Sequence, residues 1–213
     1  MTIYLIRHAR QSSKLCNVNA DLSEAGFRQA SLLGERLFPS RIQAVYSSNL
    51  TRALQTAQAA NLYWNAEHII RPELREISFG HMEGMSDADI ALTYADFKTR
   101  QSLMEEDLPY PGGECAADVI ARAWPVFMES VNSGYERVAV VTHGGVIRTI
   151  LAYCLQMPLA KWRLLGNSLE NCSISQLEWD EKAGRFHIER FNDHAHLEPY
   201  PELLRKSWVD AEN

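Results

Sequence analysis

The chain has 213 residues, 46% hydrophobic and 23% charged, a composition that excludes a disordered chain and suits one sizeable domain or a core with an inserted lobe. With 21 basic against 27 acidic residues the formal charge is −6 and the isoelectric point about 5.7. That balance leaves no basic footprint for nucleic acid, so an anionic ligand must be held by a local cluster of positive groups.

Residues 3–7 are apolar and β-prone and read as a buried strand. Asp21-Leu22-Ser23 offers capping side chains, and Phe27, Ala30, Leu33 and Leu37 recur at helical spacing, so a helix is expected over 23–37, stopped by Pro39. Ile42–Tyr46 reads as a second strand, 50–61 as a helix and His68–Ile70 as a short third strand. Residues 71–113 differ: Pro72, Gly80, Gly84, Pro109, Pro111 and Gly112-Gly113 punctuate them around one polar helix near 86–97. Segments of this kind form lids or substrate loops, so they are expected to lie over the sheet edge. A helix at 114–132, a strand at 137–142, a helix at 146–156 and strands at 172–179 and 185–192 complete the chain. The alternation implies a single α/β domain over 1–213, a three-layer sandwich with a mostly parallel central sheet. Its core is expected over about 1–70 and 114–195, with the lid-like excursion between them.

No apolar stretch approaches the ~20 residues that span a bilayer, and the run after Met1 is too short for a signal sequence. Cys16, Cys115, Cys154 and Cys172 are widely spaced without a C-x-x-C pair, which fits reduced thiols in a cytoplasmic protein better than a zinc ribbon or redox motif. Oligomeric state leaves no legible trace.

Two histidines follow strands: His8 after residues 3–7 and His143 after 138–142. Ligands of open α/β sheets bind at the carboxyl ends of strands, so the two are expected to face each other across one pocket. A single strand-end histidine is more often a satisfied polar residue; two with further polar groups around them point to a site. Arg7 adjoins His8, and Arg52 falls at the start of a helix, where backbone N–H groups and the arginine fork both favour an anion. Gly144-Gly145 lets the backbone approach a ligand after His143. Glu76, just before the excursion, is a candidate general acid, against the plainer reading of a surface carboxylate paired to Arg75. Three familiar phosphate-handling patterns are missing. No cysteine has an arginine six residues further on, no strand precedes Asp87-Ala88-Asp89, and no G-x-x-x-x-G-K-[ST] loop exists. Asp193, His194 and His196 have metal-ligand spacing but read as a polar chain end.

At these residues the chain resembles the histidine phosphatase superfamily, which includes cofactor-dependent phosphoglycerate mutases and their phosphatase relatives. Leu5-Ile6-Arg7-His8 is similar to its opening motif, and Asp21–Gly26 through Gln29-Ala30 to its first helix start. Tyr46–Ala53 with Gln55-Thr56-Ala57 is similar to its second-arginine motif. Leu74-Arg75-Glu76 with Phe79-Gly80 and Glu83-Gly84 resembles its acid-bearing segment, and Gly112-Gly113-Glu114 and Val141–Gly145 complete the order. The resemblance implies that His8 is a nucleophile forming a phosphohistidine, that Arg7, Arg52 and His143 hold the phosphoryl oxygens beside Gly144, and that Glu76 protonates the leaving alcohol and then activates water. It implies no cofactor or metal, because the arginines supply the positive charge, and a small phosphorylated metabolite as substrate, with no nucleic acid or membrane partner. The leading expectation is a metal-independent phosphomonoester hydrolase; a phosphoglycerate mutase and a catalytically silent binding module are the alternatives. The segment after His8 departs from the family pattern: Ala9 replaces a usual Gly, Arg10 a Glu or Gln, and Lys14 an Asn. Arg10 and Lys14 are therefore candidate contacts to further negative charge on the substrate.

Overall fold

The structure, a computed structural model, describes residues 1–205. Six strands form one sheet in the order β3-β2-β4-β1-β5-β6. They are β1 (Thr2–Arg7), β2 (Ala44–Ser47), β3 (Glu67–Ile70), β4 (Arg137–Thr142), β5 (Ile174–Asp180) and β6 (Arg185–Asp193). The four strands from β3 to β1 are parallel, whereas β5 and β6 add an antiparallel hairpin at one edge. The sheet is mostly parallel because the first four strands are joined through helices; only β5 and β6 are joined by the tight turn at Asp180–Gly184, which forces antiparallel pairing.

Alternation along the strands divides the core. Ile3 and Leu5 of β1 face one side with Ala44, Tyr46, Val138 and Val140. Tyr4 and Ile6 face the other with Val45, Ala139 and Val141. The first face is covered by α5 (Ala116–Val131) and α6 (Gly144–Cys154), the second by α1 (Glu24–Leu37) and α2 (Thr51–Trp64). Central strands are thus apolar on both faces, as buried parallel strands must be. Each fully buried Leu or Ile contributes about 1.5–3 kcal/mol of transfer free energy.

Local chemistry sets most boundaries. Ser23 caps α1, its Oγ accepting the Gly26 N–H at 3.1 Å. A side chain at Gly26 would collide with the Arg10 carbonyl, so this glycine lets the loop after β1 lie against α1. Helix α2 runs three residues beyond its expected end and stops at Asn65, a left-handed residue. The single helix expected near 86–97 is instead α3 (Asp87–Thr93) and α4 (Ala95–Leu103), broken at Tyr94. Its backbone (φ −116°, ψ 30°) leaves the helical region, and its ring packs against the core. Leu74, Ile77, Met82, Ile90 and Tyr110 of the 71–113 segment are buried in the same core as α5 and α6. No helix among the described residues is long and apolar enough to cross a membrane.

Candidate active site

β1 and β4 are parallel neighbours with Arg7 opposite Thr142, so His8 and His143 emerge side by side at their carboxyl ends. The His8 N–H donates to the Thr142 carbonyl at 2.9 Å, and the two imidazole centroids are 5.0 Å apart. Both rings are buried. His8 Nδ1 lies 2.8 Å from the Ala9 carbonyl, which can only accept. We therefore assign the proton to Nδ1, leaving the Nε2 lone pair free. Burial, then the charges of Arg7 and Arg52, push the His8 pKa well below the usual histidine value, so the ring is neutral at pH 7.

His143 is the residue before α6 and is likewise held neutral, by burial and then by Arg52. Its Nε2 is 2.9 Å from Ser48 Oγ, which itself accepts the Leu50 N–H. With Ser48 donating to Nε2, the proton of a neutral His143 sits on Nδ1. That buried Nδ1 has no partner among the described residues, nor do the buried Nε atoms of Arg7 and Arg52. Buried donors are normally satisfied, so three unspent ones around His8 mark a place built for oxygen acceptors.

Arg7 gives Nη1 to the Leu169 carbonyl. Burial and the neighbouring Arg205 press its pKa down to about 9, still high enough to keep it cationic at pH 7. Arg52, 2% exposed, is fixed by the Val18 carbonyl (3.1 Å) and Asn17 Oδ1 (2.7 Å). Glu76 sits against the start of α6. The Gly145 N–H reaches Oε1 and Oε2 at 3.1 and 3.2 Å, and the Ile77 N–H reaches Oε1 at 2.9 Å. It is not paired to Arg75, whose charge is directed at Glu114. A Cβ at Gly145 would lie 2.5 Å from Glu76 Oε1, whereas one at Gly144 would meet Arg7 Nε at an ordinary 3.6 Å. The close approach thus belongs to Gly145, and Gly144 borders the pocket beside Arg7.

Arg7, His8, Arg52 and Glu76 line one cavity of about 480 Å³, with Arg10 and Lys14 also on its wall. Arg10 donates to the Leu203 (2.5 Å) and Leu204 (3.0 Å) carbonyls and so ties the C-terminal segment beside the pocket. That segment delivers Arg205, whose guanidinium pairs with buried Glu170. Arg205, Arg148 and Arg163 carry no local motif and escape a reading of the sequence. So does Arg122, which binds the Arg75 and Glu76 carbonyls (2.8 and 3.1 Å) and the Glu114 carboxylate (2.8 Å) and holds the acid-bearing loop in place. Asn171, which donates to the His8 carbonyl at 2.8 Å, also lacks a signal of its own, whereas Thr56, which accepts the Ala9 N–H at 2.9 Å, lies within the second-arginine motif. The Asp193 carboxylate is turned to Arg190, and no group of three His, Cys, Asp or Glu side chains with metal-binding geometry occurs among the described residues.

Two buried histidines at neighbouring strand ends of an α/β sandwich, set among buried arginines, define a class, and the comparisons agree. The family model of the histidine phosphatase superfamily (branch 1) matches residues 3–194, and the chain belongs to that superfamily. It is 31% identical to the metal-independent phosphoserine phosphatase of Arabidopsis thaliana, over 98% of this chain and 88% of the relative. It is 32% identical to glucosyl-3-phosphoglycerate phosphatase of Mycobacterium tuberculosis, over 75% of each. The structure of mycobacterial glucosyl-3-phosphoglycerate phosphatase with inorganic phosphate superposes with a TM-score of 0.82 at 28% identity, covering 92% of this chain and 98% of that one.

Proposed function

We propose that this phosphatase hydrolyses the phosphomonoester of a small metabolite through a phosphohistidine on His8. The observation that carries the reading is the His8 ring itself: neutral, Nδ1 tethered to the Ala9 carbonyl, Nε2 unprotonated, and flanked by buried arginines and His143 with unspent donors.

The chemistry follows from these groups. The phosphoryl oxygens take the donors of Arg7, Arg52 and His143 Nδ1, with the α6 N-terminus beside them adding positive potential. His8 Nε2 attacks phosphorus as the ester P–O bond breaks, and charge moving onto the bridging oxygen is met by a proton from Glu76. Water then attacks the phosphohistidine, Glu76 takes its proton, and His8 leaves with its lone pair restored. Preorganised donors around the transferring group are the main source of rate in such sites. The free thiols of Cys16, Cys115, Cys154 and Cys172 accord with a reducing compartment such as the cytoplasm.

The pure protein should hydrolyse p-nitrophenyl phosphate in the presence of a chelator and lose that activity in His8→Ala. Efficient phosphoryl return to 3-phosphoglycerate with little hydrolysis would instead make it a mutase. Inactivity on a broad phosphoester panel would make it a silent module.

A further inference from the structure

The cavity at His8 opens into a second one of about 390 Å³. The two share Arg7, Glu76, Phe79, Asp87 and Arg205 on their walls. The second continues into a third of about 220 Å³, through shared Lys98, Arg148, Arg163 and Asn167. No carboxylate lines that third space. Positive charge therefore accumulates on the side of the pocket away from His8, in a chain whose overall charge is negative.

The cations there are built in. Arg148 lies one turn along α6 from Gly144 and folds back, its Nε donating to the Gly144 carbonyl at 3.1 Å and Nη1 to the Gly166 carbonyl at 2.9 Å. Arg163 donates to the Tyr110 hydroxyl, while its buried Nε has no partner among the described residues. Both guanidinium carbons lie over the Trp162 ring, 4.7 and 4.8 Å from its centroid, which holds two like charges as neighbours. Among the described residues neither forms an ion pair. Burial holds Arg148 below its ordinary pKa; the Glu76 carboxylate works against this and the neighbouring Arg163 charge adds to it. Two stacked guanidiniums without an ion-pair partner among the described residues, one with an unspent buried Nε, beside a lysine at the end of the pocket are a place suited to an anion.

We propose that Arg148, Arg163 and Lys98 form a second anion subsite, so that the substrate carries, beside the phosphate that is cleaved, a second acidic group, a carboxylate or a further phosphate. Arg205, midway on the wall, lies between the two sites. This inference rests on the phosphatase reading of the His8 site and names the substrate class it takes: a bis-anionic phosphoester.

Matched substrates test it. Glycerol 3-phosphate and 3-phosphoglycerate differ at a carboxylate; fructose 6-phosphate and fructose 1,6-bisphosphate differ at a second phosphate. In at least one pair the anionic member should have kcat/KM about tenfold or more above its partner, the scale of one charge-assisted contact. The pair that shows it identifies the group. Arg163→Gln and, on the exposed face of α4, Lys98→Met should raise KM for that member about tenfold more than for p-nitrophenyl phosphate, and Arg163→Lys should recover part of the loss. Equal rates within both pairs, or equal losses on all substrates in the variants, would overturn the subsite while His8-dependent hydrolysis of p-nitrophenyl phosphate left the phosphatase reading standing. Absence of that hydrolysis in the wild type would remove both.

Discussion

Gly145→Ala isolates the placement of the acid. A methyl group there would lie 2.5 Å from Glu76 Oε1 and 2.8 Å from Ile77 Cγ2, so the carboxylate must retreat by about 1 Å, and its contact with the Gly145 N–H goes with it. A misplacement of that size costs about 100-fold in rate where proton delivery matters. Alanine in a helix gains about 0.8–1.0 kcal/mol over glycine, and overpacking costs about 1–3 kcal/mol, so the fold should survive with a small fall in Tm. The assay is kcat for an alkyl phosphate against p-nitrophenyl phosphate, whose leaving group departs without a proton. We expect about a 100-fold loss on the first and a much smaller one on the second, with far-ultraviolet circular dichroism unchanged. Wild-type kcat on the alkyl ester, or equal losses on both esters, would refute the role given to the Gly145–Glu76 contact.

Glu76→Gln should show the same split between alkyl and nitrophenyl esters without the steric change, measured by steady-state kcat on both. Arg122→Ala removes the charge-assisted hydrogen bonds to the Glu114 carboxylate and those to the Arg75 and Glu76 carbonyls, while Ser78 and Arg75 still face Glu114; urea unfolding should show a loss of about 2–3 kcal/mol, and kcat should fall with it. Because His8 stays neutral well below pH 6.5, kcat/KM should show no acid limb assignable to an ordinary histidine near pH 6.5. His196 is held down to about 4, chiefly by burial. Below pH 6.5 the unfolded chain binds a proton that the folded ring refuses, so stability is lost as pH falls from about 6.5 to about 4, by roughly 3 kcal/mol from this group. Denaturant melts across that range should be flatter for His196→Phe.

The site was legible where chemistry and secondary structure coincide locally. Arg7-His8 and Thr142-His143 end apolar strands, and Arg52 and Glu76 sit in recognisable punctuation. That β1 and β4 would be neighbours is a matter of topology: 135 residues separate His8 from His143 in the numbering, and only the parallel pairing brings them to 5.0 Å. Arg148, Arg163 and Arg205 are single cations on a helix, a 3-10 turn and the C-terminal segment, and nothing in their neighbours distinguishes them from solvated charges. Arg122 escaped for the same reason, since the loop carbonyls it binds at Arg75 and Glu76 lie far off in sequence. The break at Tyr94 was hidden because the polar pattern around it fits one helix as well as two; the demand that its ring reach the core is tertiary.

The central claim is that His8 carries the phosphoryl group. Rapid mixing with p-nitrophenyl phosphate, an alkaline quench that preserves phosphohistidine, and peptide mass spectrometry test it directly. The account predicts a phosphoryl group on the peptide containing His8, absent from His8→Ala. A phosphoryl group on a cysteine, serine or aspartate, or full turnover by His8→Ala, would contradict it.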